Sequence, residues 1–260
     1  MAAPLVPLPH TSRGHASPPI VLLHGFGGDQ LAWMGLAGPL SKLRRTIAFD
    51  LPGHGAAVNW PEVASVSVSA NAVIESLDRM AVERATIVGH SMGGAVASLV
   101  GLKRPDLVER LVLLAPGGFG PEMNVRLLTR YAAMTEADEI AVVMEQFFAP
   151  TSTIPPVLTQ LVVEQRADPA IQASFKAIVS VISDGAGQGT LPLDDLAAAP
   201  FPTSLVWGLE DAVLPVRQAI EAPAAIARHL VPDCGHMVHM EASELVMGIL
   251  TKALTGRAPA

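Results

Sequence analysis

The sequence predicts an α/β protein, with a mostly parallel central sheet, helices on both faces and a helical cap. Three observations carry that prediction. Short runs of Val, Ile and Leu alternate with longer helix-like stretches. The first strong run is apolar at every position, as a strand buried on both faces must be. One long stretch, from Gly117 to about Ala199, breaks the alternation and holds no good strand.

Taken in order, Ile20–Leu23 is bounded by Pro19 and by His24-Gly25, which suits a buried parallel strand. Thr46–Phe49, Thr86–Val88, Leu111–Leu114 and Ser204–Trp207 read as further strands, with a weaker one at His229–Val231. Between them Gln30–Leu40, Val66–Met80, Met92–Lys103 and Val238–Leu254 read as helices. Parallel strands joined through helices need right-handed crossovers. Pro4, Pro7, Pro9, Pro18 and Pro19 leave little room for regular strands ahead of Ile20, so that edge is expected to be short or irregular.

The interrupting stretch carries helical patterns at Ile140–Phe148 and Pro156–Gln165, and breakers at Pro150, Pro155, Pro156, Pro169, Gly185, Gly187 and Gly189. It is too long for one crossover. The division expected is a core of residues 1–118 and 200–260 and a helical cap insertion at 119–199.

Bulk properties set limits. A chain of 260 residues, half of them hydrophobic and 16% charged, is long enough for a large core without staples. The net charge of −7 and the lack of a Lys/Arg-rich stretch argue against a nucleic-acid partner. Cys234 is the single cysteine, so neither an intramolecular disulfide nor a Cys-based zinc site is available. The residues before Ile20 lack a basic segment followed by an apolar run, and no stretch reaches the ~18 apolar residues a membrane helix needs. These features predict a cytoplasmic protein without a membrane partner.

The strongest chemical signal is Gly89-His90-Ser91-Met92-Gly93-Gly94, which fits G-x-S-x-G between a strand and a helix. A sharp turn there lifts the Ser91 hydroxyl off the sheet, and glycines at 89 and 93 remove Cβ atoms that would clash. A serine is a weak nucleophile without a base. The chain supplies an acid and then a histidine in the order such enzymes use: Trp207-Gly208-Leu209-Glu210-Asp211, then Cys234-Gly235-His236. Both segments follow strands, where ligand sites of open α/β sheets form. Glu210 competes with Asp211 for the acid, and motif register favours Asp211.

His24-Gly25-Phe26-Gly27-Gly28-Asp29 is a Gly-rich loop after the first strong strand. The backbone N–H groups of Phe26 and Met92 are the candidate oxyanion hole. His24 and His90 flank the candidate site, with hydrogen bonding in tight turns as their competing role, and packing is expected for His54. His236 and His239 are three apart, but without H-E-x-x-H they make a poor metal pair. Cys234 lacks an elbow and is expected to be a small buried residue. Met134, Met144, Phe147, Phe148 and Ile154 are candidate pocket residues, with burial against the sheet as the competing role. Trp33, Trp60 and Trp207 are expected in the core.

Together, the segments at 24–28, Asp50-Leu51-Pro52-Gly53-His54-Gly55, 89–94, Gly208…Asp211 and Gly235-His236…Glu241 resemble the α/β-hydrolase superfamily over roughly residues 18–255. Residues 24–29 with Trp33, and Leu114-Ala115-Pro116 through Gly120-Pro121-Glu122-Met123-Asn124, are similar to the hydrolase-like domain of the acetyltransferase subunit of acetoin dehydrogenase complexes. No lipoyl domain fits ahead of Ile20, which implies a free-standing relative. The resemblance also weighs against some chemistries. Dehalogenases and epoxide hydrolases of this fold place Asp at the elbow, where this chain has Ser91. Carbon–carbon hydrolases of ring-cleavage products usually carry Gly-Pro-Gly after the oxyanion His-Gly, where this chain has Gly-Gly-Asp.

The expected activity is hydrolysis of a small apolar ester or thioester through an acyl-enzyme, with Ser91 as nucleophile, His236 as base and Asp211 as orienting acid. No metal or cofactor is required. Carbon–carbon hydrolysis, lactonase, cofactor-free peroxidase or acyltransferase chemistry on the same triad, and a non-catalytic binding module, are the rival readings.

Overall fold

The computed structural model describes residues 7–255. Pro4, and with it residues 1–6 and 256–260 of the expected core, lie outside the described residues. Seven strands form one sheet: β1 (His10–Arg13), β2 (Ile20–Leu23), β3 (Thr46–Phe49), β4 (Ala85–His90), β5 (Val108–Leu114), β6 (Thr203–Gly208) and β7 (Ala227–Val231). Their spatial order is β1-β3-β2-β4-β5-β6-β7, parallel throughout except for β1, which runs antiparallel to β3. β2, β3 and β4 are buried at every residue, and β2 is apolar throughout, which is why it reads as a continuous apolar run. The proline-rich N-terminal edge does pair, with Pro9 just ahead of the four-residue β1. Proline shortens this edge to one brief strand rather than abolishing it.

Strand order reverses between β2 and β4. The chain steps from β2 outward to β3, then returns to lay β4 on the other side of β2. The loops leaving the carboxyl ends of β2 and β4 diverge to opposite faces, and the crevice between them is where open α/β sheets bind ligands.

The helices are α1 (Met34–Ser41), α2 (Val66–Arg79), α3 (Met92–Lys103), α4 (Val125–Ala133), α5 (Ala137–Glu145), α6 (Pro156–Arg166), α7 (Pro169–Ile182), α8 (Leu193–Ala197), α9 (Arg217–Glu221), α10 (Val238–Glu241) and α11 (Ser243–Thr255). α1 packs on α11 and β3, and α2 packs on α3, which lies along β2, β4 and β5. Ser65 caps α2 by accepting the Val68 N–H at 3.2 Å. The long helix expected at 238–254 is divided at Ala242 into α10 and α11, and a 3-10 turn at Gln30–Trp33 precedes α1.

Five helices, α4 to α8, occupy the insertion between β5 and β6. Three of them, α4, α7 and the short α8, lie where the sequence pattern shows no clear helix. Pro169, which reads as a breaker, instead opens α7 behind the Asp168 cap, which accepts the Ala170 N–H at 2.8 Å. In a helix's first turn proline's missing N–H costs nothing. α4 also starts behind a side-chain cap, with Asn124 accepting the Leu127 N–H at 3.1 Å. Among the described residues no helix is long and apolar enough to cross a membrane.

Candidate active site

β4 ends at His90 and α3 begins at Met92, so Ser91 alone makes the turn. Its backbone sits at φ +52°, ψ −119°, a conformation non-glycine residues hold only when their surroundings force it. The constraint is visible in the bonding. The Ser91 N–H donates to the Leu114 carbonyl on β5 at 3.0 Å, and its carbonyl accepts from Gly94, Ala95 and Gly117. Gly93 is required by close approach, because a Cβ there would lie 2.3 Å from the Leu23 carbonyl oxygen and 2.4 Å from that of His24.

The loop after β2 lies against this elbow: a Cβ on Gly25 would sit 3.1 Å from that of Ser91. Two buried histidines hold the loop. His24 Nε2 accepts the Leu51 N–H at 3.0 Å, so its Nδ1 carries the proton and donates to the Gly25 carbonyl at 2.8 Å. His54 works alike, with Nε2 accepting the Gly27 N–H at 3.1 Å and Nδ1 donating to the Pro52 carbonyl at 3.0 Å. Burial holds both imidazoles below their ordinary value, which keeps them neutral in these bonds. The Phe26 ring packs on Phe175 and Tyr131 of the insertion, at 5.2 and 5.9 Å between centroids. The N–H groups of Phe26 and Met92 make no hydrogen bond among the described residues. Met92 is the first residue of α3, where helix N–H groups have no internal partner and the dipole favours negative charge.

His236 and Asp211 meet behind the elbow. His236 Nδ1 donates to Asp211 Oδ2 at 2.8 Å, with the two side chains 3% and 0% exposed. Asp211 Oδ1 accepts the N–H groups of Val213 and Leu214 at 2.8 and 2.9 Å. Glu210, the competing acid, is exposed. Its N–H donates to the Cys234 carbonyl at 3.0 Å, which ties the Asp211 loop to the His236 loop. His90 Nε2 donates to the His236 carbonyl at 2.9 Å, and the two rings lie 4.9 Å apart. Through the residue before Ser91, this bond ties the elbow to the loop that carries His236.

His239 packs its ring on His90 at 4.5 Å and on Trp33 at 5.1 Å, and neither of its nitrogens has a partner among the described residues. Burial lowers it to about 3. Among the described residues no three His, Cys, Asp or Glu side chains are grouped to hold a metal. Cys234 is buried, and burial first, then the Glu241 and Asp211 charges, push its thiol up to about 12. At that value it is a poor nucleophile.

Ser91, Met92 and Phe26 line a cavity of about 320 Å³. Its apolar wall comes from α3 (Ala95, Leu99), α4 (Leu128) and the end of α7 (Val181, Ile182), with Met123, Leu191, Val213 and Leu214. No lining residue is ionisable in the neutral range. Gln188, which belongs to no motif, builds part of the wall: its Oε1 accepts the Gly118 N–H at 3.1 Å and its Nε2 donates to the Gly120 carbonyl at 3.0 Å. A lone glutamine in a loop carries no signal that would have found it.

The pocket residues expected from the insertion do not line this cavity. Met134 and Met144 are buried in the core, and Phe148 and Ile154 face a separate outer groove between α5, α6 and Glu210. Phe147 packs on Tyr131 and, at 6.3 Å, on His236. The reason is register: α5 ends at Glu145, just before these phenylalanines, and the chain then runs along the His236 loop. Trp33 and Trp207 are fully buried and Trp60 half-buried.

Residues 20–248 match the alpha/beta hydrolase family. The chain belongs to that family. Among its relatives within this family is the dihydrolipoyllysine-residue acetyltransferase component of the acetoin cleaving system of Pseudomonas putida. It is 32% identical over 90% of this chain, which spans 62% of that protein's length. The 2-hydroxymuconate semialdehyde hydrolase of a Pseudomonas species is 27% identical, over 86% of this chain and 82% of its own. In structure this alpha/beta hydrolase resembles a meta-cleavage product hydrolase from Pseudomonas fluorescens, with a TM-score of 0.83, 23% identity, and coverage of 95% and 93% of the two chains.

Proposed function

We propose that this alpha/beta hydrolase is a serine hydrolase that cleaves a small, neutral ester or thioester. The observation that carries the reading is the buried His236–Asp211 hydrogen bond on a loop that His90 ties to the strained Ser91 elbow. With the proton on Nδ1 and held by Asp211, Nε2 is the basic nitrogen, the tautomer a general base needs. Ser91 attacks the acyl carbonyl while His236 takes its proton. The Phe26 and Met92 N–H groups receive the developing oxyanion, where losing one such donor typically costs about 10²–10³ in rate. His236 then protonates the departing alcohol or thiol. Water, deprotonated by His236, attacks the acyl-enzyme, and His236 returns that proton to the Ser91 oxygen as the acid is released. The insertion, residues 119–199, acts as a cap, since α4, α7 and the segment after it close the cavity above Ser91.

The cavity favours an ester over the acidic product of ring cleavage. A carboxylate in a largely apolar site without a cationic partner is disfavoured; the lining offers Ser65, Ser67, Thr190 and Gln188 as polar groups but no cation. A second reading, acyl transfer to an acceptor other than water, is favoured by the similarity to an acetyltransferase component.

The test is hydrolysis of p-nitrophenyl acetate, butyrate and octanoate by wild type, Ser91→Ala, His236→Ala and the double variant. Each single variant is expected to fall to near background, with the double little worse, because such groups act as a unit. Equal rates for wild type and Ser91→Ala would remove Ser91 as nucleophile. Adding alcohol or thiol acceptors and measuring the product ratio separates transfer from hydrolysis.

A further inference from the structure

Glu241 lies five residues beyond His236, at the end of α10, and four donors converge on its carboxylate. Oε1 accepts the N–H groups of Gly235 at 3.0 Å and Met237 at 3.2 Å, the two neighbours of His236. Oε2 accepts the Ala149 N–H and the Ser152 hydroxyl, both at 2.7 Å, and Gly235 also lies 3.1 Å from it. Ala149 and Ser152 belong to the insertion, just past α5. One side chain therefore grips the His236 loop with one oxygen and the cap with the other. Two further features join the same surfaces. The His236 N–H donates to the Phe147 carbonyl at 2.8 Å. Gly235 packs so closely that a Cβ there would lie 2.6 Å from the backbone of Phe148 and Ala149.

We infer that Glu241 is a positioning residue, which sets the place of His236 and fastens it to the cap so that the two move as one body. This rests on the serine-hydrolase reading. A carboxylate suits the place because it only accepts, and all four groups facing it donate. Glutamine is isosteric but must turn an NH₂ toward one pair of donors. That breaks either the His236-loop side or the cap side. Three of the donors are backbone N–H groups, which need partners when buried. A base must be held close to its productive geometry, and about 1 Å of misplacement costs roughly 10²-fold.

The experiment measures the rate at which a fluorophosphonate labels Ser91 across pH 5 to 9, in wild type and Glu241→Gln. It is paired with the downfield proton NMR signal of the His236 Nδ1–H and with near-UV circular dichroism. Glu241→Gln is expected to stay folded, to label about 10- to 100-fold more slowly, and to shift or broaden that proton signal. A folded variant that labels at the wild-type rate, or that labels slowly with the signal unchanged, overturns the inference. A wild type that does not label overturns the serine-hydrolase reading instead. Amide exchange in the wild type decides the fastening in either case, and also if Glu241→Gln does not fold. The N–H groups of Ala149, Gly235, His236 and Met237 are expected to exchange with common protection. Ala149 exchanging freely while the other three stay protected overturns the link to the cap.

Discussion

His90 donates from Nε2 to the backbone carbonyl of His236 at 2.9 Å. The residue before the elbow serine thus holds the residue proposed as its base, across 146 positions of sequence. Burial, then the neighbouring His239 and His236, keep His90 well below the ordinary imidazole value, so it stays neutral as a donor.

His90→Leu removes that donor and leaves the His236 carbonyl without it. The expected cost is about 1–3 kcal/mol of stability, together with slower labelling of Ser91 by a fluorophosphonate. Urea unfolding reads the first and the labelling rate the second. Unchanged stability with unchanged labelling would mean that the bond positions nothing.

Gly93→Ala tests the elbow from the other side. The added methyl would meet two backbone carbonyl oxygens, of Leu23 and His24, neither of which can swing aside. Overpacking ordinarily costs about 1–3 kcal/mol, and here the upper end or beyond is expected. Gly35, with open space around its Cβ position, is the control. A Gly93→Ala protein as stable as Gly35→Ala would contradict the geometry.

What the sequence disclosed follows from where the information lay. Ile20–Leu23, Thr46–Phe49 and Met92–Lys103 were legible to the residue: the first is an unbroken apolar run, and the other two lie between clear punctuation in the alternating pattern. The elbow at Ser91 and the Asp211–His236 pair each lie in short motifs just past a strand, which is why the sequence singles them out as candidates. α7 was hidden by Pro169, which punctuates a sequence whether it ends a helix or begins one. The cavity wall was hidden more deeply. Leu128, Val181, Gln188 and Leu191 come from separate turns of the insertion, and only the tertiary fold brings them to Ser91. The apolar character of the insertion pointed instead to Met134, Met144, Phe147, Phe148 and Ile154, of which Phe147 and Phe148 pack beside the His236 loop.

Acid is expected to destabilise this protein from about pH 6.5 downward. His24, His54, His90 and His239 are all lowered by burial in the fold, while in the unfolded chain each titrates near ~6.5. Below that pH the unfolded chain binds more protons, so stability present above ~6.5 is lost as pH falls toward the folded values. For His239 the loss runs down to about 3. His239→Phe keeps a ring between Trp33 and His90 and removes one proton from the balance. Between about pH 6 and 4 its unfolding free energy should fall less steeply than that of wild type, by up to about 1.4 kcal/mol per pH unit. Parallel slopes in urea unfolding at a series of pH values would show that His239 takes up no extra proton on unfolding.

Ala95→Leu asks whether the cavity of about 320 Å³ receives the acyl chain. Ala95 lies one turn into α3 from Ser91, is buried, and lines the cavity. A leucine there takes up space that a long acyl chain would use, while an acetyl group remains near the elbow. Apolar pockets discriminate by about 1–3 kcal/mol per methylene, or roughly 10- to 200-fold. The octanoate-to-acetate ratio of kcat/KM should therefore drop at least about tenfold, with the acetate rate within a few-fold of wild type. If both esters slow equally, the substitution has disturbed the elbow and the ratio carries the decision to a smaller replacement, Ala95→Val. If the ratio holds at its wild-type value in both variants, the acyl chain lies elsewhere, and the outer groove beside α5 and α6 becomes the place to look for it.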